Sequence, residues 1–291
     1  MLRSLLFVPA DSQRKLTKAA SSGADALILD LEDSVSLEKK ESARAGAREF
    51  LSGAPNVDSQ IYVRINPLDS GFALDDLVAV CVAGLEGIVV PKVNSRDDVH
   101  RLSCYLDALE VSVGIPASRL RIIPVATETP RAVLSLSSFS SGLPRLKAMT
   151  WGAEDLSAVL GATTNSLGKG RWTSVYESVR SQFLLAACAA GVPALDTLYA
   201  DFRDADGLAE NCRISRRDGF VGRIAIHPSQ VPVINESYSP TSEELALAAR
   251  IIAAFEYNPE AGVVGLDGVM YDAPHLQRAR RLIATVRSGA E

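Results

Sequence analysis

Short β-rich runs alternate with longer stretches of helical spacing along most of this 291-residue chain. The runs fall at 5–8, 26–31, 61–65, 87–91, 121–126, 148–151, 194–198 and 223–226. Stretches such as 12–22, 37–51, 74–82, 96–109 and 173–190 lie between them. A strand followed by a helix, repeated, implies a parallel sheet joined by crossovers. Ala26-Leu27-Ile28-Leu29 and Gly87-Ile88-Val89-Val90 are apolar on both faces, as strands covered on both sides must be. Eight such units predict an α/β chain folded as a (β/α)8 TIM barrel over residues 1–238. A doubly wound sheet is the alternative. It would carry a Gly-rich phosphate loop after an early strand, and the sequence has none.

The remainder, 239–291, exceeds what a barrel needs. Ser239-Pro240-Thr241-Ser242-Glu243-Glu244 reads as a helix start, with Thr241 or Ser242 as cap and acids in the first turn. That helix is expected to reach about Tyr257. A loop with Pro259 and several glycines then covers 258–268, and Val269–Pro274 leads into a basic helix over 275–287. This C-terminal helical extension predicts a lid, or an arm packed on a neighbouring subunit. The small-residue stretch 161–172 reads as a loop over the barrel mouth, mobile until something binds, or else as a plain connector.

Composition removes several function classes. A net charge of −5 argues against a nucleic-acid partner, which calls for a basic face. No apolar run approaches the roughly 20 residues that span a bilayer. The apolar core of residues 1–9 is about five residues, short of a signal sequence, and reads as a first strand. Cys81, Cys104, Cys188 and Cys212 are widely spaced, as expected for reduced thiols in a cytoplasmic protein. His100, His227 and His275 have no zinc-site spacing.

In a parallel barrel the active site lies at the C-terminal strand ends. Read in order, those ends carry Asp30, Glu32 and Asp33; Arg64 and Asn66; Lys92; Glu128; Glu154 and Asp155; Asp201; and His227 to Gln230. So many acids at one mouth repel one another unless cations neutralise them. Arg64 and Lys92 supply two positive charges, and a bound metal supplies more. Two carboxylates plus water suit Mg²⁺, with Mn²⁺ a possible substitute, and leave positions open for a small 2-oxo acid. Arg64 can polarise a carbonyl or stabilise an enolate oxygen. The backbone N–H groups of Gly152, Ala153 and Glu154 can take the acid's carboxylate. This grouping suits making and breaking a carbon–carbon bond beside a carbonyl.

Several motifs in order carry a resemblance that covers essentially the whole chain. They are Arg3-Ser4-Leu5-Leu6-Phe7-Val8-Pro9-Ala10, Leu29-Asp30-Leu31-Glu32-Asp33-Ser34-Val35, Val63-Arg64-Ile65-Asn66 and Val89-Val90-Pro91-Lys92. Glu128-Thr129-Pro130, Trp151-Gly152-Ala153-Glu154-Asp155-Leu156, Ile226-His227-Pro228-Ser229-Gln230 and Met270-Tyr271-Asp272-Ala273-Pro274 follow. The chain resembles citrate lyase β-subunit-like proteins of the aldolase/citrate lyase superfamily, which also holds malyl-CoA and citramalyl-CoA lyases. The resemblance implies that Glu128 and Asp155 are Mg²⁺ ligands. It implies that Arg64 polarises the carbonyl or stabilises the enolate and that Glu32 orients it. Asp272 matches a lid aspartate that handles the α-carbon proton in the active site of the adjacent subunit. Lys15 and Lys18 match coenzyme A-binding positions. A homotrimer, or a hexamer built of trimers, is implied too. Tyr271 stands where the family has Ile or Val, which alters the acyl pocket. No His lies in 30–37, against the branch of class II pyruvate aldolases with a histidine base there.

The expectation is a Mg²⁺-dependent acyl-CoA lyase acting on (S)-citramalyl-CoA or malyl-CoA to yield acetyl-CoA and pyruvate or glyoxylate. One alternative is a citrate lyase β subunit acting on carrier-bound citryl groups. Another is a non-catalytic barrel that binds CoA esters, which metal-dependent turnover would exclude.

Overall fold

The computed structural model describes residues 2–53, 58–140, 142–168 and 170–287, which form two compact units, 2–238 and 239–287. The first unit holds β1 (Ser4–Pro9), β2 (Ala26–Asp30), β3 (Gln60–Arg64), β4 (Gly87–Val90), β5 (Arg121–Pro124) and β6 (Met149–Thr150). A small hairpin follows, β7 (Ser166–Gly168) with β8 (Arg171–Trp172), and then β9 (Ala194–Asp196) and β10 (Gly222–Ala225). Nine α-helices are described between and after them: α1 (Gln13–Ala20), α2 (Lys40–Ser52), α3 (Ala73–Val80), α4 (Arg96–Val113), α5 (Pro130–Leu134), α6 (Glu154–Leu160), α7 (Ser174–Ala189), α8 (Ala205–Asp218) and α9 (Gln230–Tyr238).

Eight strands run parallel in the order β5-β4-β3-β2-β1-β10-β9-β6. Bridges Ile122↔Leu146 and Val125↔Thr150 join the two edges, and the Ala126 N–H donates to the Thr150 carbonyl at 3.0 Å. The sheet therefore closes into a nearly complete barrel, as the alternation of runs predicts. Leu5, Ile28, Tyr62, Val89, Ile123 and Leu195 form one cluster inside it. The opposite strand faces, with Leu6, Leu27, Val63, Ile88 and Ile122, pack with the helices in the larger core. This two-sided burial explains why the strands read as unbroken apolar runs. β6 is shorter than its run, because Gly152 and Ala153 already turn the chain toward α6.

Helix boundaries follow their caps. Ser95 opens α4 by accepting from the Asp97 N–H, and Gly114 closes it at φ 72°. The stretch 161–172, expected as a loop, contains the β7–β8 hairpin. The Asn211 amide donates to the Gly170 carbonyl at 2.8 Å and anchors it.

The second unit is α10 (Ser242–Tyr257), a hairpin of β11 (Val263–Leu266) and β12 (Val269–Asp272), and α11 (Ala273–Arg287). Thr241 and Glu244 form a reciprocal capping box on α10. The expected loop 258–268 contains the four-residue strand β11. Asp267 and Gly268 both have positive φ, 53° and 79°, the two-residue turn that Asp-Gly favours between strands. Among the described residues no helix is long and apolar enough to cross a membrane.

A buried ion-pair network lies under the barrel mouth. Asp196, at the end of β9, accepts from Trp151 Nε1 at 2.7 Å, from its neighbour Thr197 N–H at 2.9 Å, from Arg223 Nη2 at 2.8 Å and from the Ser215 hydroxyl. Burial alone would push the Asp196 carboxyl up, but Arg223, Arg180 and these donors hold it below the usual carboxylate range. Its stabilisation is therefore complete above the unfolded value near 3.8 and fades as pH falls through the lower folded value. Asp196→Ala strands Arg223 without its carboxylate and is expected to cost about 3–5 kcal/mol in urea unfolding at pH 7. The gap to the unsubstituted protein should narrow below pH 4, and a gap that is constant with pH would contradict this account.

Candidate active site

The site begins with a strand register. Asp30, last in β2, lies directly across from Arg64, last in β3. The Arg64 guanidinium donates to both Asp30 oxygens, from Nε at 2.6 Å and from Nη2 at 2.7 Å. Glu32 Oε2 lies 3.0 Å from the remaining Nη1 as an ion pair, while Asp30 is the bidentate hydrogen-bond partner. The Phe7 ring, 4.4 Å away, flanks the guanidinium. Burial works against the Asp30 charge, but Arg64 and the N–H groups of Glu32 and Ser34 outweigh it and hold the carboxyl low.

The loop after β2 is held from behind. Lys40 is buried, and its ammonium donates to the carbonyls of Leu31 and Glu32, both at 2.7 Å, and to Asn66 Oδ1 at 2.8 Å. Asp76 in turn accepts from the Asn66 backbone N–H and side-chain amide, each at 2.7 Å.

Lys92, just past β4, has φ 53°, a left-handed conformation that costs a residue with a Cβ roughly 1–2 kcal/mol. The turn sends its two donors to different acids. The backbone N–H donates to Glu128 Oε2, while Nζ lies 2.5 Å from Glu32 Oε1, 3.3 Å from Asp155 Oδ1 and 3.6 Å from Asp33 Oδ1. Burial would lower the Lys92 pKa, but these carboxylates raise it and keep the ammonium charged.

Glu128 is only 3% exposed. Burial pushes its carboxyl up to about 8, with the negative charges of Asp155 and Glu32 acting in the same direction. Burial likewise pushes Glu32 up to about 7, against the pull of Arg64 and Lys92. Gly152 makes room for Glu128: a Cβ there would stand 2.7 Å from Glu128 Cγ and 3.2 Å from Oε1.

Arg64, Glu128, Gly152, Ala153, Glu154 and Asp155 line one cavity of about 430 Å³. The Gly152 N–H is not free to take a ligand, because it donates to the Thr127 hydroxyl at 3.0 Å. Of the expected trio of amides, that of Gly152 is thus already engaged within the chain. Ala153 and Glu154 remain, at the start of α6, where first-turn N–H groups have no acceptor within the helix. The Glu154 carboxylate accepts from the Asn165 amide at 2.9 Å. Trp172 stacks edge-on against Trp151 at 5.0 Å, so the 161–172 stretch buttresses the cavity wall. Lys15 and Lys18 are exposed on α1 and do not line the cavity. Asp272 belongs to the second unit, where His275 Nδ1 lies 2.5 Å from Oδ1 and holds the carboxyl low.

The donor set fits a hard divalent cation. Glu128 and Asp155 offer carboxylate oxygens, and the buried Glu128 lacks the positive charge that would keep it ionised. Among the described residues no group of three His, Cys, Asp or Glu side chains that could hold a metal ion is present, and two carboxylates alone would leave most positions of an octahedral ion to water and ligand.

Eight parallel strands with acids and one pinned arginine at their C-terminal ends define a (β/α)8 barrel of the kind that carries an enzyme's site at its mouth. The chain belongs to the HpcH/HpaI aldolase/citrate lyase family, whose model matches residues 3–228. It is 31% identical to the citrate lyase subunit beta of Leuconostoc mesenteroides subsp. cremoris, over 97% of this chain and 92% of that one. It is 30% identical to the mitochondrial citramalyl-CoA lyase of Rattus norvegicus, over 98% and 86%. The crystal structure of protein CitE from Mycobacterium tuberculosis, in complex with magnesium, acetoacetate and coenzyme A, superposes with a TM-score of 0.77 at 33% identity, covering 97% of each chain.

Gly152→Ala tests the fit around Glu128. The added Cβ must displace a buried carboxylate and is expected to cost about 1–3 kcal/mol in chemical denaturation. Gly262→Ala, where a Cβ meets nothing within 4 Å, should be close to neutral. Equal stability for the two variants would contradict the close approach.

Proposed function

We propose that this chain is a Mg²⁺-dependent acyl-CoA lyase that cleaves (S)-citramalyl-CoA or malyl-CoA to acetyl-CoA and pyruvate or glyoxylate. The observation that carries the reading is the buried, charge-deficient Glu128 beside Asp155, facing an arginine pinned by Asp30. Glu128 and Asp155 would hold the ion. Magnesium there supplies Lewis-acid chemistry, polarising the hydroxyl and carboxylate oxygens of the substrate's acid end.

The rest of the chemistry falls to the chain's own groups. The substrate hydroxyl loses its proton to water at the open cavity mouth and a carbonyl forms. The carbon–carbon bond breaks, and its electron pair passes into a thioester enolate. Arg64 stabilises that enolate oxygen, held in place by Asp30 and Glu32. Asp272 delivers a proton to the enolate carbon, and His275 is placed to resupply it. In the reverse direction an ionised Asp272 removes the α-proton. In the chain as it stands His275 holds that carboxyl low and ionised, so service as acid or base requires the surroundings of the adjacent site to raise it toward the working pH.

The assembly is a homotrimer or hexamer in which Asp272 serves the adjacent subunit. Support comes from the exposed apolar residues Val263, Val269 and Met270 on the hairpin that carries Asp272. Four free cysteines fit a cytoplasmic setting. Lys15 and Lys18 are proposed to meet the CoA phosphates from their exposed positions on α1.

Similarity to a citrate lyase β subunit favours a second reading, action on citryl groups held by a carrier protein. One assay separates the two. Citramalyl-CoA, malyl-CoA and citryl-CoA are offered with Mg²⁺, without partner subunits, and products are identified. Turnover of citramalyl-CoA or malyl-CoA is expected, with kcat falling roughly 10²–10⁴-fold in Asp272→Ala and further in Glu128→Ala. Chelation should abolish it. Undiminished turnover in both variants would sink the mechanism, and inactivity on all three free thioesters would favour the carrier-bound substrate.

A further inference from the structure

Lys92 is the group in this site whose role the chemistry above leaves unassigned. Its backbone is in a conformation that glycine adopts freely and lysine does not, yet a lysine stands there. The side chain is what glycine would lack. Its ammonium touches Glu32 at 2.5 Å, Asp155 at 3.3 Å and Asp33 at 3.6 Å. The backbone N–H of the same residue holds one oxygen of Glu128. A single residue thus engages both proposed metal ligands, one through its main chain and one through its side chain.

We infer that Lys92 is a resident counter-cation: its ammonium occupies Asp155 when no metal is bound and must yield that oxygen when the ion arrives, so Lys92 weakens and tunes divalent-cation affinity. The inference rests on the metal reading of Glu128 and Asp155. The physical reasons act in one direction. The ammonium competes for an Asp155 oxygen, and its charge repels a dication a few ångströms away. The backbone N–H to Glu128 is independent of the side chain, so truncation leaves that ligand oriented. Arg64 also remains on Glu32, at 3.0 Å, and keeps that acid partnered. A lysine with a merely structural role would behave in the opposite way: its loss would loosen the carboxylates and weaken metal binding.

The test is a calorimetric titration of the metal-stripped, full-length protein with MgCl2, with no substrate present. Lys92→Met should bind Mg²⁺ about tenfold more tightly than the unsubstituted protein, and Lys92→Arg, which keeps the charge, within about twofold of it. Without metal, Lys92→Met should also melt at a lower temperature, and saturating Mg²⁺ should close that gap. Lys92→Gly relieves the left-handed backbone while removing the same ammonium, so it answers the question if Lys92→Met does not fold. Mg²⁺ binding that is equal or weaker in Lys92→Met and Lys92→Gly, with the unsubstituted protein binding normally, overturns the inference alone. Absence of Mg²⁺ binding to the unsubstituted protein overturns the metal reading and the inference with it.

Discussion

Buried carboxylates at the ends of neighbouring strands need positive charge, and everything around this barrel mouth is arranged to supply or replace it. Asp30, Glu32, Glu128 and Asp155 face two cationic side chains, Arg64 and Lys92. The balance is uneven. Asp30 owns Arg64 through two hydrogen bonds and stays ionised. Glu128 receives one backbone N–H and is pushed toward neutrality. A divalent cation held there, as proposed, would restore the balance at that end of the row.

The site depends on supports that do no chemistry. Lys40 pins the loop after β2 by two carbonyls, and Asp76 pins Asn66, which Lys40 also grips. Asp196 holds the Trp151 indole from below, and Thr127 fixes the Gly152 amide. The wall that carries Asp155 is thereby set from the two strands that flank β6, β5 and β9. A catalytic arrangement needs such rigidity, because small displacements of charged groups in a buried site change their energies steeply.

Much of the fold was legible because burial on both faces leaves a plain mark. β2, Ala26–Asp30, is buried throughout and reads as an unbroken apolar run ending in an acid. Arg64, Glu128 and Asp155 were legible for the same reason: each lies at the end of an apolar run or within four residues beyond it, where a parallel barrel opens. Other features left weak traces. Lys40 lies in the run Glu38-Lys39-Lys40-Glu41, which looks like a solvated helix start. Asp196 sits inside the mostly apolar run Ala194-Leu195-Asp196-Thr197-Leu198, and nothing local says that Arg223 and Trp151 will meet it. The β11–β12 hairpin did have a signal, Asp267-Gly268 between apolar residues, but it was masked by the surrounding glycines and Pro259.

By itself, the sequence determined the alternation of elements, the closed parallel sheet it implies, and the set of acids and bases at its C-terminal edge. Those are local properties: period, burial pattern and position relative to a strand end. Only the tertiary structure decided which charge pairs with which. Asp30 rather than Glu32 takes Arg64 in a bidentate grip because strand register sets them opposite each other. The Gly152 amide is spent on Thr127 because β5 and β6 close the barrel side by side. Lys92 bridges its acids because the backbone at that one residue turns left-handed, which no periodicity in the chain announces. The feature that opened the sequence, βα alternation, thus sets where the charges gather, and the geometry of closure sets what each of them does.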